Sequence, residues 1–422
     1  MATAAAQTMG TVWRALRSAP KASFVICLVA YSLSQLDLAL FAYAVPSIRK
    51  DLDIPLSTMG VIVGVSYALG GALMVWLAHL ADSLGRKTVL MWGTVGAPLS
   101  VAATAIVPNA IALGGIRALS IALGGISYPA TGALVTEAAP ARVRGIMAGL
   151  LQTGYPIGWF AAAMFAAPLL TLYGWRALFL VALLWLPFVF VIRHKLVEPE
   201  RKMTEGPKQS LRAAIGELLN PQHLPRVITL FVAQFLFVVA YGGVSIFFPT
   251  YFVEQRHLEI GSSAYLVGIG NAVGILGYAL AAFTGEVLLT RRTTVVIWTL
   301  LGATLLLFMV WGTQNYVPTI AAFAVMSMFF SGTAAVKFAY VAEIFPSHLR
   351  ATALAFCGSL AVNLGIGVGP ILVTTAVERV GWNTALSLVG AIPMACAGLL
   401  YLFLKPIPSG LDVDEAARQA WK

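Results

Sequence analysis

The chain consists largely of apolar segments of about 20 residues separated by short polar turns. Hydrophobic residues occupy 59% of its 422 positions and charged residues only 10%, whereas a soluble domain carries about 25% charged residues. A helix of about 20 residues crosses the hydrocarbon core of a bilayer and satisfies its own backbone groups there. The sequence therefore predicts an all-α membrane protein with twelve spanning helices. The segments are 23–46, 57–79, 88–107, 110–135, 144–168, 174–192, 225–249, 264–284, 293–312, 317–340, 351–375 and 382–404.

One motif occurs in each half of the chain. Glu-x-x-Pro-x-x-x-Arg occupies 137–144 and recurs, 206 residues later, at 343–350. Two shorter pairs recur at nearly the same offset: Gly-Trp at 174–175 and 381–382, and a basic pair at 86–87 and 291–292. A shared offset indicates a duplicated unit. We therefore predict two six-helix bundles, 1–192 and 225–422, joined by a linker at 193–224.

The distribution of basic residues predicts the orientation. If both termini and the linker share one side, 20 of the 27 Lys and Arg residues lie on that side. Because basic residues concentrate in cytoplasmic loops, we expect both termini in the cytoplasm and the chain in the cell (inner) membrane. The net charge of +10 is then explained by topology and by contact with anionic lipid. We expect a monomer in contact with membrane lipid, and no nucleic-acid partner.

The turn between the second and third segments carries the string Asp82-Ser-Leu-Gly85-Arg86-Lys87. Gly85 permits a sharp turn, and Asp82 ends one helix where it can meet Arg86 or Arg144. The string resembles the signature of the major facilitator superfamily between helices two and three. The resemblance implies twelve transmembrane helices in two pseudo-symmetric six-helix bundles about a central cavity.

The repeated motif falls at the ends of segments four and ten, where members of that superfamily carry a similar element. Its proline ends one helix, and Arg144 or Arg350 opens the next. Glu137 and Glu343 are then placed to pair with loop arginines when the cytoplasmic face is closed. Pairs of this kind bias a conformational equilibrium by about 1–3 kcal/mol. We therefore predict that these four residues act with the 82–87 string as gating elements.

Two charges lie deep in the first half, and ionisable residues in lipid are usually functional. Asp37 precedes Pro46, at the outer end of segment one, by nine residues, which places it roughly 14 Å deep. Arg117 follows Asn109 by eight residues, at roughly 12 Å. Helices one and four line the cavity in the family that the chain resembles, so the two can pair. We predict that Asp37 takes up a proton when access or substrate separates the pair; a static ion pair is the alternative.

Residues 37–52 are similar to helix one of the metabolite:proton symporter branch, which includes aromatic-acid, sialate and polyol carriers. That branch typically shows Asp-Gly-x-Asp, whereas 34–37 is Ser-Gln-Leu-Asp, with the second acid alone. The spacing from Arg117 to Tyr128 and to Glu137 also resembles the branch.

Lys337 is the deep charge of the second half. It either extends its ammonium group to the cytoplasmic surface or faces the cavity, where with Arg117 it favours a carboxylate substrate. Further polar candidates for substrate contacts, or for interhelical hydrogen bonds, are Tyr128, Gln152, Tyr155, Gln234, Tyr241, Asn271 and Asn363. Trp159 and Phe237 are candidates for stacking on a ring.

The predicted function is uptake of a small organic anion, such as a carboxylate or an aromatic or sugar acid, by proton-coupled symport through alternating access. A proton-coupled sugar or polyol symporter and a drug:proton antiporter are the alternatives. An enzyme is not expected, since the five histidines lie at segment ends or in loops without metal-type spacing. No metal or cofactor is expected, and no phosphate-binding Gly-Lys-Ser/Thr loop is present.

Overall fold

The protein is helical throughout the residues that the computed structural model describes, which are 21–140, 144–197, 216–218, 220–345, 349 and 352–406. Twelve helices within these ranges are long and apolar enough to cross a membrane, so the predicted all-α membrane architecture is confirmed. The spanning helices are α1 (Lys21–Asp51), α2 (Leu56–Leu84), α3 (Arg86–Ile106), α4 (Ala110–Ala138), α5 (Met147–Leu172), α6 (Gly174–Lys195), α7 (Leu224–Ser245), α8 (Ile260–Leu288), α9 (Arg291–Gly312), α10 (Tyr316–Ile344), α11 (Leu354–Val380) and α12 (Trp382–Phe403).

Short polar signals set the helix ends. The Asn109 side chain accepts a hydrogen bond of 2.9 Å from the Ala112 N–H at the start of α4. Such a cap satisfies a backbone donor that the first turn leaves free. Between α2 and α3, Gly85 has a φ of 94°, which confirms the predicted sharp turn.

The helices run alternately between two sides of the bundle. We call the side at which the chain passes from α6 to α7 the linker side, and the opposite side the far side. α6 ends at Lys195 and α7 begins at Leu224, while residues 198–215 and 219 of the predicted linker lie outside the described ranges. On the far side, a short helix, Phe248–Glu254, follows α7. The predicted boundaries of the two bundles remain a prediction.

The duplication is visible in the backbone. Asp53, just after α1, has a φ of 50°, and His257, at the corresponding point after α7, has a φ of 53°. Gly174 and Gly381, which open α6 and α12, have φ values of 77° and 76°. A positive φ is strained for most residues other than glycine. The Gly-Trp pair therefore recurs because each half makes the same left-handed turn before its last helix.

The repeated basic pair also has equivalent contacts in the two halves. Lys87, in the first turn of α3, donates from Nζ to the Leu196 carbonyl at 2.6 Å. Arg292, in the first turn of α9, donates from Nη1 to the Leu404 carbonyl at 2.8 Å. Each basic side chain thus bonds the carbonyl end of the sixth helix of its own half, where cations are favoured.

The halves pack through two helix pairs, α2 against α11 and α5 against α8. The contact is close in the far-side half of these helices. A methyl group on Gly64 would lie 2.3 Å from the Gly367 carbonyl oxygen, and one on Gly261 would lie 3.0 Å from the Ala167 carbonyl oxygen. Small residues allow helix backbones to approach in this way.

The described linker-side parts of α5 and α11 lack comparable contacts at their glycines. A methyl group on Gly149 of α5 or Gly358 of α11 would meet no atom within 4 Å. The tight packing between the halves is therefore concentrated towards the far side.

We predict that Gly64→Ala opens the far side. The new methyl group would overlap a backbone carbonyl, and overpacking of this kind costs about 1–3 kcal/mol. The ratio of molecules whose halves are separated on the far side to molecules whose halves are in contact there should therefore rise about fivefold or more. Spin labels on the exposed loop residues Asp53 and Glu259 report the separation by double electron–electron resonance. Gly115→Ala is the control, because a methyl group on this α4 glycine meets nothing within 4 Å. An unchanged distance distribution in Gly64→Ala would contradict the prediction.

Candidate functional site

A small cavity lies between the halves near the middle of the helices. It measures about 20 Å³, which is room for about one water molecule. Its lining consists of Tyr155, Trp159, Tyr241, Ser245, Phe248, Val267, Asn271, Phe323, Met326, Ser327, Phe330 and Ser331. Three of the predicted substrate contacts, Tyr155, Tyr241 and Asn271, are in this lining.

Aromatic rings from both halves meet at this cavity. The rings of Tyr155 in α5 and Tyr241 in α7 have centroids 6.2 Å apart. Trp159 lies 5.7 Å from Tyr155, and Phe237 stacks on Tyr241 at 5.8 Å. The two ring pairs form a continuous aromatic surface across the interface between the halves, which is suited to packing against a planar ligand.

Arg117 is buried within the first half, with 5% of its area exposed. Its guanidinium carbon lies 4.2 Å from the centre of the Phe41 ring and 5.9 Å from that of Tyr67, within the range of cation–π attraction. Its Nη2 donates to the Leu38 carbonyl at 3.2 Å, while Nε has no hydrogen-bond partner. A buried donor without a partner is costly, so this Nε is a candidate ligand for an anion.

Lys337 does not extend to the surface, which was one of the two positions that the sequence left open, and it is not among the residues that line the cavity. Its side chain is only 3% exposed, and its Nζ donates to Gln234 Oε1 at 3.0 Å. The same ammonium group lies over the Phe237 ring, and Phe237 in turn stacks on Tyr241 at the cavity. Among the described residues, each half therefore holds a buried cation against an aromatic ring, Arg117 at Phe41 and Lys337 at Phe237.

Asp37 is 2% exposed, but it does not form the predicted direct ion pair. None of the four ion pairs within 4.0 Å among the described residues joins Asp37 to Arg117. Trp185 of α6 instead donates from Nε1 to Asp37 Oδ1 at 3.1 Å. Arg117 bonds the carbonyl of the next residue, Leu38, so the two side chains are neighbours without direct contact in this conformation.

The remaining polar candidates lie around the same region. Gln152 donates from Nε2 to the Tyr128 hydroxyl at 2.8 Å, and Tyr128, 40% exposed, packs on the Tyr31 ring. Asn363 of α11 faces α2 across the interface, since a methyl group on Gly71 would lie 3.2 Å from its Oδ1. We group these residues with the cavity lining as the candidate site.

Sequence reasoning missed three aromatic residues of this region. Tyr67 lies 5.9 Å from the Arg117 guanidinium carbon, Tyr278 of α8 lies near Tyr241, and Trp185 bonds Asp37. The signal for Tyr67 and Tyr278 was a tyrosine inside an apolar segment. Trp185 offered no such signal, because tryptophan is common in spanning helices.

The predicted gating elements are only partly described. Glu137 forms an ion pair with Arg86, within the first half. The side chains of Asp82, Arg144 and Glu343, and the whole of Arg350, lie outside the described residues. In the second half, Arg291, which belongs to the repeated basic pair, forms an ion pair with Glu286.

An ion pair joins the halves on the far side. Arg49, at the end of α1, pairs with Glu254, at the end of the short helix after α7. Glu254 also accepts a hydrogen bond of 3.2 Å from the Trp382 Nε1. A second contact lies nearby, where Glu378 of α11 accepts the Ser57 backbone N–H of α2 at 2.7 Å. A carboxylate is favoured at such a helix N-terminus, so two acidic side chains of the second half bond the first half.

Comparison with known proteins gives a consistent picture. The Major Facilitator Superfamily profile matches residues 27–288 and 274–422. The niacin transporter NiaP of Acinetobacter baylyi is 26% identical over 87% of this chain and 90% of its own. The cis,cis-muconate transport protein of the same organism is 25% identical over 91% of this chain and 94% of its own.

Among solved structures, a D-xylose-proton symporter superposes with a TM-score of 0.71. It is 18% identical, and the match covers 92% of this chain and 97% of that one. This likeness concerns the fold.

We predict that Glu254→Gln weakens closure of the far side. The amide oxygen can still accept from Trp382, but the charge that attracts Arg49 is lost, and a partly exposed ion pair contributes about 0.2–1 kcal/mol. The ratio of closed to open molecules should fall by up to about fivefold, as measured between spin labels at Asp53 and Glu259.

The matched control is Asp51→Asn. This change breaks the ion pair of Asp51 with Arg176, which lies on the same side of the membrane but within the first half. The control should leave the distance distribution unchanged, and an equal shift in both variants would contradict the assignment.

Proposed function

The chain belongs to the major facilitator superfamily, and we propose that it takes up a small organic anion, an aromatic or other carboxylic acid, by proton-coupled symport. The family and the named relatives are transporters rather than enzymes. The substrate class is supported by the relatives' names, niacin and cis,cis-muconate being carboxylic acids. The observation that carries the proposal is the unpaired Nε of buried Arg117.

The charges buried in the described spanning helices favour an anion. They comprise the two cations Arg117 and Lys337 and the single carboxylate Asp37, which leaves an excess of one positive charge. Uncompensated charge in a low-dielectric interior is costly, and a bound carboxylate would neutralise it. The aromatic surface at Tyr155 and Tyr241 would then pack against the ring or conjugated chain of the acid.

Coupling follows from the position of Asp37 beside Arg117. When Asp37 is ionised, its field attracts the guanidinium group and competes with a substrate carboxylate. When Asp37 takes up a proton, Arg117 is left without a nearby counter-charge and binds the anion more tightly. By reciprocity, the bound anion raises the affinity for the proton to the same degree. Proton and substrate therefore favour each other's binding.

Alternating access would use the two sides of the interface between the halves. The far side is held by the small-residue contacts and by the Arg49–Glu254 pair, and the linker side is packed less tightly. We propose that the linker side is cytoplasmic, as the distribution of basic residues predicts, and that this conformation faces inward. On this proposal the protein is a monomer in the cell (inner) membrane with both termini in the cytoplasm.

The substrate class can be tested with matched acids and amides. We expect nicotinate and cis,cis-muconate to raise the melting temperature of the purified transporter, and nicotinamide and xylitol to have no effect. Lys337→Met should raise the acid concentration needed for half-maximal stabilisation about tenfold or more, because a charged hydrogen-bond partner contributes about 1.5–3 kcal/mol. Lys50→Met, which removes an exposed lysine at the far-side end of α1, is the control. Stabilisation by xylitol alone would favour the polyol alternative and overturn the anion proposal.

Coupling can be tested in proteoliposomes. We expect an acid-outside gradient to drive accumulation of the acid, whereas an antiporter would accumulate it with acid inside. Asp37→Asn should retain counterflow exchange of labelled substrate but lose gradient-driven accumulation about tenfold or more, since the neutral amide cannot exchange a proton. Asp53→Asn, at an exposed far-side position, is the control. Full proton-driven uptake by Asp37→Asn would rule out Asp37 as the coupling site.

A further inference from the structure

Asp37 lines a second cavity that is separate from the one between the halves. This cavity lies inside the first half, between α1, α3, α4 and α6, and measures about 10 Å³, close to the volume of one water or one small ion. Its lining is Ala30, Leu33, Ser34, Asp37, Gly93, Thr94, Ala97, Pro98, Ser127 and Trp185. It shares no lining residue with the central cavity. We call it the Asp37 pocket.

Two of the three hydroxyl groups that line this pocket, those of Ser34 and Thr94, are oriented as acceptors; the third is that of Ser127. Ser34 donates its single hydroxyl proton to the Tyr31 carbonyl at 2.8 Å. Thr94 donates its own to the Leu90 carbonyl at 2.8 Å. A hydroxyl group has one proton and two lone pairs, so both side chains have only lone pairs left for the pocket.

The backbone adds another acceptor. Pro98 lies inside α3, and proline has no N–H to donate to the carbonyl four residues earlier. The Thr94 carbonyl therefore lacks its usual helical donor at the wall of the pocket. In other transporters, backbone carbonyls without a helical partner coordinate Na⁺ or protons where a helix is unwound.

The carboxylate itself has little compensation. Trp185 Nε1 is the one hydrogen-bond donor to Asp37 among the described residues. Of the described charged groups on the four surrounding helices, Arg117 is the one whose charge acts on Asp37, and it is not within 4.0 Å. Asp37 is thus a nearly fully buried carboxylate beside oxygen lone pairs, and a proton or a small cation would neutralise it.

We propose that the Asp37 pocket binds a single Na⁺, in competition with the coupling proton. Hard cations prefer oxygen ligands, and the pocket has a carboxylate, the hydroxyl groups of Ser34 and Thr94, and the freed Thr94 carbonyl. One carboxylate matches the charge of a monovalent ion better than that of a divalent one. The proposal rests on the proposed function, because Na⁺ and the proton would neutralise the same carboxylate and release Arg117 to the substrate.

The two ions differ in the ligands that they need. A proton binds one lone pair of Asp37, whereas Na⁺ must be held by several oxygen atoms at once. Loss of one hydroxyl group should therefore weaken Na⁺ binding more than proton binding. Thr94→Val removes a hydroxyl group from the pocket with little change in side-chain shape. Thr299→Val is the matched control, since Thr299 is also buried and bonds the carbonyl four residues earlier, but lies in α9 of the second half, outside the pocket.

The test measures uptake of labelled nicotinate by proteoliposomes containing the full chain. At equal alkaline pH on both sides, an inward Na⁺ gradient should drive uptake about fivefold or more above a K⁺ or choline gradient of equal strength. In Thr94→Val the ratio of Na⁺-driven to proton-driven uptake should fall about fivefold, as expected for the loss of one polar ligand. Thr299→Val should keep the wild-type ratio, and Asp37→Asn should lose both driving forces.

The outcomes separate this proposal from the proposed function. If acid outside drives uptake and Na⁺ acts no better than K⁺, the Na⁺ site is wrong and proton symport stands. If Na⁺ drives uptake and a proton gradient does not, the proton coupling is wrong and the Na⁺ site stands. Should Thr94→Val fold poorly, Ser34→Ala gives the same comparison; an unchanged ratio in a folded variant overturns the site.

Discussion

Buried positive charge is the feature on which the functional centre depends. Arg117 and Lys337 are placed where lipid and protein offer little solvation, and each is stabilised by an aromatic ring and by one polar acceptor. The rings attract the cations without neutralising them. The central region therefore keeps a net affinity for anions, and the position of Asp37 beside Arg117 makes that affinity depend on the state of one carboxylate.

The sequence was sufficient for much of the fold. Apolar length and the internal repeat predicted the twelve spans, because a bilayer leaves few other arrangements for such segments. The number of residues between each charge and the outer end of its helix also predicted that Asp37 and Arg117 lie at a similar depth. The direct ion pair between them was wrong for this conformation, because Trp185 donates to Asp37 instead. That contact joins residues 148 positions apart and depends on how α6 packs on α1, which no local pattern encodes.

Divergence between the repeats is as informative as their similarity. In the first half, Asp51 pairs with Arg176, just after the left-handed Gly174. The corresponding position in the second half is Asn383, which carries no charge. Glu254, which ends the short helix after α7 as Asp51 ends α1, pairs with Arg49 across the interface. The acid near this point of the far side thus pairs within the bundle in the first half and between bundles in the second.

The small-residue packing between α2 and α11 and between α5 and α8 has an entropic consequence. Where two backbones touch at Gly64 and Gly367, few rotatable side chains are immobilised on closure or released on opening. Ordering a long side chain costs up to about 2 kcal/mol of conformational entropy. An interface built from leucine or methionine would add this cost at every contact that forms on closure. Without them, the free-energy difference between the open and closed far side is small enough for a few weak polar bonds to determine it.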